Sequence, residues 1–172
     1  YPDFLRKAEK RLAKAQRKLS QKQKESHNRE KQRLRVAILH EKVANQRRDF
    51  LHKKARYLAD RYDVIGIEDI SVKAMAKRKK GGKFSFGKSV ADNGWNMFTN
   101  MLEYKLAWQG KKLIKIDKWY PSSQLCHVCG YQNHETKDLS VREWDCPKCG
   151  SHHNRDKNAA INIREEARRI SA

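Results

Sequence analysis

Two C-x-x-C-G units, at Cys126, Cys129 and Gly130 and at Cys146, Cys149 and Gly150, hold every cysteine of the chain, with sixteen residues between Cys129 and Cys146. This is the spacing of a four-cysteine metal site, and the short loop inside each pair brings two sulfurs onto one ion. The glycine after each second cysteine permits the tight turn that such a knuckle needs. With no secretory apolar segment, a reducing compartment is expected, and there paired C-x-x-C reads as metal-binding rather than as disulfides. Four thiolates make a closed tetrahedral site, so Zn²⁺ bound by Cys126, Cys129, Cys146 and Cys149 would be structural. It would supply folding energy to a segment poor in apolar residues. An iron cage and a redox dithiol are the competing readings. With four thiols available, His127, His134, His152 and His153 are expected at the surface or on phosphate rather than on the metal.

Asn154-Arg155-Asp156-Lys157-Asn158 follows at once, with Asp156 expected at the start of a helix whose apolar positions are Ala159, Ala160, Ile163, Ala167 and Ile170. The carboxylate of Asp156 has the look of a buried one. Upstream, Val64-Ile65-Gly66-Ile67 reads as a buried strand ending in two acids, Glu68 and Asp69, which alternate between its faces. One can enter a site while the other faces away; alternatively, both merely end the strand.

The rest of the chain is scaffold and cation. Leu5, Ala8, Leu12, Ala15 and Leu19 recur at helical spacing and predict a helix over 3–24. After a polar break at Ser26-His27-Asn28, a second helix is expected from about Arg29 to Tyr62. Its apolar pairs are Val36-Ala37, Val43-Ala44, Phe50-Leu51 and Tyr57-Leu58, a wide stripe. Beside it run Arg33, His40, Arg47, Lys54 and Arg61. Residues 1–61 hold 20 Lys or Arg against 7 Asp or Glu, and so carry +13 of the net +20. Such an excess points to a polyanion, because each neutralised phosphate releases counterions. Nucleic acid is favoured over a membrane surface, since no long apolar span or lipidation signal is present. A solvated helix face is the plainer reading, and the surplus of cations over anions disfavours it.

Residues 71–94 form a basic, glycine-containing loop, with Lys77, Arg78, Lys79 and Lys80 as expected phosphate contacts and Phe84 and Phe86 as candidate stacking residues. Trp95, Phe98, Leu102 and Leu106 mark an amphipathic helix ending near Gly110. Residues 112–117 alternate as a further strand, and Trp119-Tyr120-Pro121-Ser122-Ser123 leads into the cysteines.

In that order, with Pro121-Ser122-Ser123, the doubled C-x-x-C-G and Arg155-Asp156-x-Asn158-Ala159-Ala160, the chain resembles the C-terminal part of the transposon-encoded TnpB (OrfB) proteins, relatives of the type V CRISPR nucleases. The resemblance implies an α/β, RNase H-like (RuvC) nuclease fold, incomplete in this chain, with a long helical hairpin and an inserted four-cysteine zinc ribbon. It divides the chain into a basic hairpin (1–62), core strands and helix (63–120), the ribbon (121–152) and the final helix (153–172). By motif match Glu68 and Asp156 are the second and third of three catalytic, Mg²⁺-binding acids. Asn154 departs from the family's more common Asp. The first acid belongs to an upstream strand, and no acid between Asp3 and Asp60 lies on a strand-like segment, so this chain is expected not to cut alone. A chain opening on Tyr1-Pro2 fits a piece of a longer protein, whose N-terminal part would be its partner together with guide RNA and target DNA.

The resemblance further implies an RNA-guided DNA endonuclease acting in a prokaryotic cytoplasm, at the nucleoid, with the basic residues and Arg155 on nucleic acid. An alternative role for Arg155 is helix capping or pairing with Glu165 or Glu166. A non-catalytic zinc-ribbon module, a repressor or an RNA-binding accessory, is the alternative function; such a protein would have no use for both acids. A strand-joining transposase is disfavoured by the position of the ribbon just before the last acid.

Overall fold

The computed structural model describes residues 4–71 and 94–172. The chain forms two compact units, one of residues 1–60 and 71–105, the other of 61–70 and 106–172.

In the first unit α1 (Phe4–Ser20) and α2 (His27–Arg61) form the expected hairpin. The break between them is sharper than the pattern suggests. Helix α1 tightens where the Lys22 N–H reaches the Leu19 carbonyl, Glu25 takes the left-handed conformation (φ 64°), and the Ser26 hydroxyl accepts the Arg29 N–H at 3.2 Å as a cap. Arg29 donates back to the Leu19 carbonyl at 3.0 Å, and Gln32 donates to the Ala15 carbonyl at 2.9 Å. These polar bonds fix the register of the two helices. Leu12 of α1 is buried, as are Val43, Leu51, Ala55 and Ala59 of α2.

The stripe on α2 is narrower than expected. Ala37, Ala44 and Tyr57 are exposed, so mainly one member of each apolar pair packs inward. An α-helix turns 100° per residue, and neighbours in sequence cannot share a narrow seam. The same unit holds most of α3 (Trp95–Ala107), with Met101 and Leu102 buried.

The second unit contains β1 (Val64–Glu68) and β2 (Lys112–Ile116), paired in parallel with Glu68 opposite Ile116. The end of α3 supplies the entry to β2. The Lys111 N–H bonds the Leu106 carbonyl and the Gly110 N–H bonds the Ala107 carbonyl, with Gly110 at φ 67°, which together make a Schellman cap. Helix α4 (Arg155–Ser171) packs across both strands. Its approach to β1 is close: a Cβ on Gly66 would lie 2.7 Å from Ala167 Cβ and 3.1 Å from the Ile163 carbonyl. Between β2 and α4 the chain makes the cysteine ribbon, with antiparallel β3 (Glu143–Asp145) and β4 (His152–Asn154).

Candidate metal centre and acidic site

Both cysteine pairs form the same turn. The Gly130 N–H bonds the Cys126 carbonyl and the Gly150 N–H bonds the Cys146 carbonyl, each at 2.8 Å, with the glycines at φ 73° and 70°. The Cys126 N–H then bonds the Tyr131 carbonyl, and the Cys146 N–H bonds that of Ser151. The two knuckles face each other, so all four sulfurs lie within 4.8 Å of one another. Cys126 and Cys149 are 3.7 Å apart, and Cys129 and Cys146 are 3.6 Å apart. A tetrahedral ion with metal–sulfur bonds of about 2.3 Å has sulfur–sulfur edges of about 3.8 Å. The four cysteines are therefore positioned to bind one metal ion.

The Cys149 thiol pKa is lowered to about 6, first through the Ser151 hydroxyl and amide. Cys129 is pushed up to about 12: the Tyr131 amide lowers it, but burial and three neighbouring thiols outweigh that effect. Four sulfurs so close cannot all ionise without a cation among them.

Trp144 is buried against Cys126 and Cys146. His153, expected at the surface, is 2% exposed. Its Nε2 stands 3.1 Å from the Cys126 sulfur, and its ring packs between Trp144 and His127. Burial, then His127 and His152, depress its basicity and favour neutral imidazole. A neutral ring with Nε2–H directed at the sulfur leaves the buried Nδ1 as a bare lone pair, in keeping with its lack of a partner. His127 is exposed at the surface and is held by Asn158, while exposed His152 lies 2.8 Å from Asp145.

The ribbon is bolted to α4 by buried amides that apolar periodicity overlooked. Asn158 Nδ2 donates to the Leu125 carbonyl at 2.6 Å, while its Oδ1 accepts the His127 N–H at 3.1 Å. Asn162 Nδ2 donates to the Ser122 and Leu125 carbonyls at 2.8 and 2.7 Å. Of the expected apolar face, Ala167 is buried and Ile163 partly so, but Ala160 and Ile170 are exposed. The buried stripe instead includes Arg155, Asn158 and Asn162.

Glu68 ends β1 half-buried, and Ser122 Oγ donates to its Oε1 at 2.6 Å. Ser122 is itself buried and gripped from behind by Asn162, so strand, loop and helix meet at this carboxylate. Asp69, on the next residue, is exposed. Asp156 lies in the first turn of α4, which Asn154 caps by accepting the Lys157 N–H at 3.2 Å. An amide caps a helix about as well as a carboxylate, so Asn at 154 retains that structural role. The Asp156 side chain is 81% exposed, not buried as its sequence context suggested, and faces Arg142 at 3.9 Å. A residue at the second position of a helix whose neighbours 155 and 158 are buried must point outward. Asp156 precedes Asn162 by six residues, about 9 Å of helix rise. Among the described residues, the four cysteines are the one group of three or more metal-ligating side chains close enough to share an ion.

Arg33 is exposed and bonded to Glu30 at 2.9 Å, Lys54 lies over the Phe50 ring, Arg47 is half-buried, and Arg61 is exposed. Arg155 is buried, with its guanidinium donating to the Asp138 carbonyl at 3.2 Å. Glu165 and Glu166 pair instead with Arg164, Arg168 and Arg169. Lys77, Arg78, Lys79, Lys80, Phe84 and Phe86 lie outside the described residues. No helix among the described residues is long and apolar enough to cross a membrane.

A parallel strand pair, a helix laid across it and a four-sulfur ribbon between them define a protein with the fold seen in Cas12f1. One solved Cas12f1 chain, in a complex with guide RNA and target DNA, matches 94% of this chain and 41% of its own length, with a TM-score of 0.57 and 23% identity. The family model described as the Cas12f1-like TNB domain matches residues 95–163, and that described as a probable transposase (OrfB_IS605) matches residues 1–79. A protein of Streptomyces pristinaespiralis named as an RNA-guided DNA endonuclease is 43% identical over 94% of this chain and 39% of its own. InsQ of Escherichia coli (strain K12), named likewise, is 36% identical over 91% of this chain and 41% of its own. The Cas12f1 endodeoxyribonuclease of Sulfoacidibacillus thermotolerans is 30% identical over 80% of this chain and 31% of its own. The chain is similar to the TnpB (OrfB) proteins over most of its length, and it spans about two fifths of the length of these first two relatives.

Proposed function

We propose that this chain is the C-terminal nuclease portion of an RNA-guided DNA endonuclease of transposon origin, with an RNase H-like RuvC core and a structural zinc ribbon. The observation that carries the reading is the bond from buried Ser122 to Glu68 at 2.6 Å. It aims and restrains a carboxylate at the end of a strand, on the same packed unit as the helix bearing Asp156. Divalent cations, Mg²⁺ by preference for oxygen ligands, would when bound lower the pKa of the attacking water and stabilise the leaving oxygen. Glu68 and Asp156 would hold them together with a third carboxylate on another strand of the full-length protein. The first turn of α4 places Asp156 where the helix dipole attracts negative charge, including that of bound phosphate. The ribbon's part is positional. Its closed sulfur cage orders residues 122–127, and that loop in turn holds Ser122 against Glu68.

Guide RNA and target DNA are the proposed partners, with the +20 chain binding their backbones. A binding-only zinc-ribbon module is the second reading. It is favoured by one observation: Glu68 and Asp156 join no larger ligand cluster among the described residues. Single-turnover cleavage of DNA in Mg²⁺ separates the two. In the full-length protein with its guide, Glu68→Gln and Asp156→Asn should each lower the rate by at least about 10²-fold, as loss of one electrostatic stabiliser does, and leave binding intact. Residues 1–172 alone should not cut. Unchanged cleavage by either variant would refute the assignment, and robust cutting by this chain alone would refute the need for a further carboxylate.

A further inference from the structure

The loop between β2 and the ribbon presents an indole to solvent. Trp119 is 80% exposed, so most of the indole is open to a partner. The backbone around it is held in place. Asp117 Oδ1 accepts the Trp119 N–H at 2.6 Å, the Tyr120 N–H bonds the Asp117 carbonyl, and the Ser122 N–H bonds the Tyr120 carbonyl at 2.8 Å. Lys118 lies over one face of the ring, its ammonium 5.0 Å from the ring centroid. A planar π surface with a cation over one face complements a nucleotide, whose base can stack on the other face while its phosphate meets the cation.

The position is as informative as the chemistry. Glu68 and Ile116 are register partners at the carboxyl ends of parallel β1 and β2, the edge where open α/β sheets bind ligands. The loop leaves from that edge, and Ser122, three residues beyond Trp119, bonds Glu68 directly. The indole is thus tethered beside the carboxylate by one short, ordered turn.

We propose that Trp119 and Lys118 form a stacking subsite for one base of a single-stranded nucleic acid, next to the phosphodiester presented to Glu68. The placement next to a scissile phosphate rests on the nuclease reading, whereas the stacking does not. The occupant is single-stranded because a base paired within a duplex is stacked on its neighbours and has no free face. The remainder of the protein is the competing occupant, but a lysine at the ring and a chain of net charge +20 favour an anion.

The test is fluorescence anisotropy of a labelled oligothymidine titrated with residues 1–172 in Mg²⁺-free buffer at several salt concentrations. Stacking on one aromatic ring contributes about 1–3 kcal/mol per base, so Trp119→Ala should weaken binding about 5- to 150-fold. The salt slope should stay unchanged. Trp119→Phe should bind within about threefold of wild type, and Lys118→Ala should flatten the slope by about one phosphate. Trp108→Ala, which removes another exposed indole, should have no effect. Trp119→Ala binding as wild type does would overturn the proposal and leave the indole to a protein surface, as would an equal loss for duplex DNA. Loss of stacking with intact cleavage dependence on Glu68 refutes the subsite alone. Retained stacking with cleavage indifferent to Glu68 refutes the nuclease reading alone and leaves the subsite standing.

Discussion

Gly66 is where a single methyl should be felt most. It lies in the middle of β1 with α4 directly above it, and a Cβ there would sit 2.7 Å from Ala167 Cβ and 3.1 Å from the Ile163 carbonyl oxygen. Carbon atoms pack best at about 3.5–4.0 Å, so Gly66→Ala requires strand and helix to separate by about 1 Å. One of the two obstacles is backbone and cannot rotate away. Overpacking of this kind typically costs about 1–3 kcal/mol. The lower entropy of unfolded alanine offsets about 0.4–1 kcal/mol, leaving a net loss of about 1–2 kcal/mol. With m near 2 kcal/mol/M, the urea midpoint of this unit should fall by about 0.5–1 M. Ala167→Gly in the Gly66→Ala background removes the nearer obstacle, so a double-mutant cycle should give a favourable coupling of at least about 0.5 kcal/mol. An unchanged or raised midpoint for Gly66→Ala, or a coupling of zero, would refute the close packing of α4 on β1. Because α4 also carries Asp156 and the Asn162 bond to Ser122, the same variant should impair the acidic site.

Asn162→Leu keeps the bulk but leaves the Ser122 carbonyl without its 2.8 Å donor; chemical denaturation should show a loss of about 1–3 kcal/mol. Chelation should unfold the ribbon, read as a change in Trp144 emission, while the helical circular dichroism of α1 and α2 persists. Metal affinity should fall as pH falls, since the ligands bind as thiolates and protons compete for them. Neutralising Lys77, Arg78, Lys79 and Lys80 should weaken nucleic-acid binding and flatten its salt slope, and an unchanged slope would remove that contact from the reading.

Much of the architecture is legible in local patterns because local chemistry dictates it. Two C-x-x-C-G units can close on one ion whatever surrounds them, and the glycines at 130 and 150 do take the left-handed conformation their turns require. The apolar run Val64–Ile67 and the alternation at 112–116 become a parallel pair, and the basic hairpin forms with its ends within a few residues of expectation. Polar residues were harder to place. The apolar spacing of α4 gives no sign that Asn158 and Asn162 are buried, since nothing nearby in sequence shows that the carbonyls of Ser122 and Leu125, more than thirty residues earlier, turn towards them.

His153 and Asp156 are the sharper cases, three positions apart and opposite in outcome. One expected at the surface is buried against a cysteine sulfur, and one expected to be buried is exposed. Their fates follow from the direction in which β4 delivers the chain into α4, a direction set by pairing with β3 and by the sulfur cage. The cysteine spacing and the acids were therefore determined by the sequence itself. Which carboxylate is gripped, by Ser122, and which stands exposed in the first turn of a helix was decided by tertiary contacts alone, because a hydrogen bond between residues 68 and 122 exists only once strand, ribbon and helix have packed.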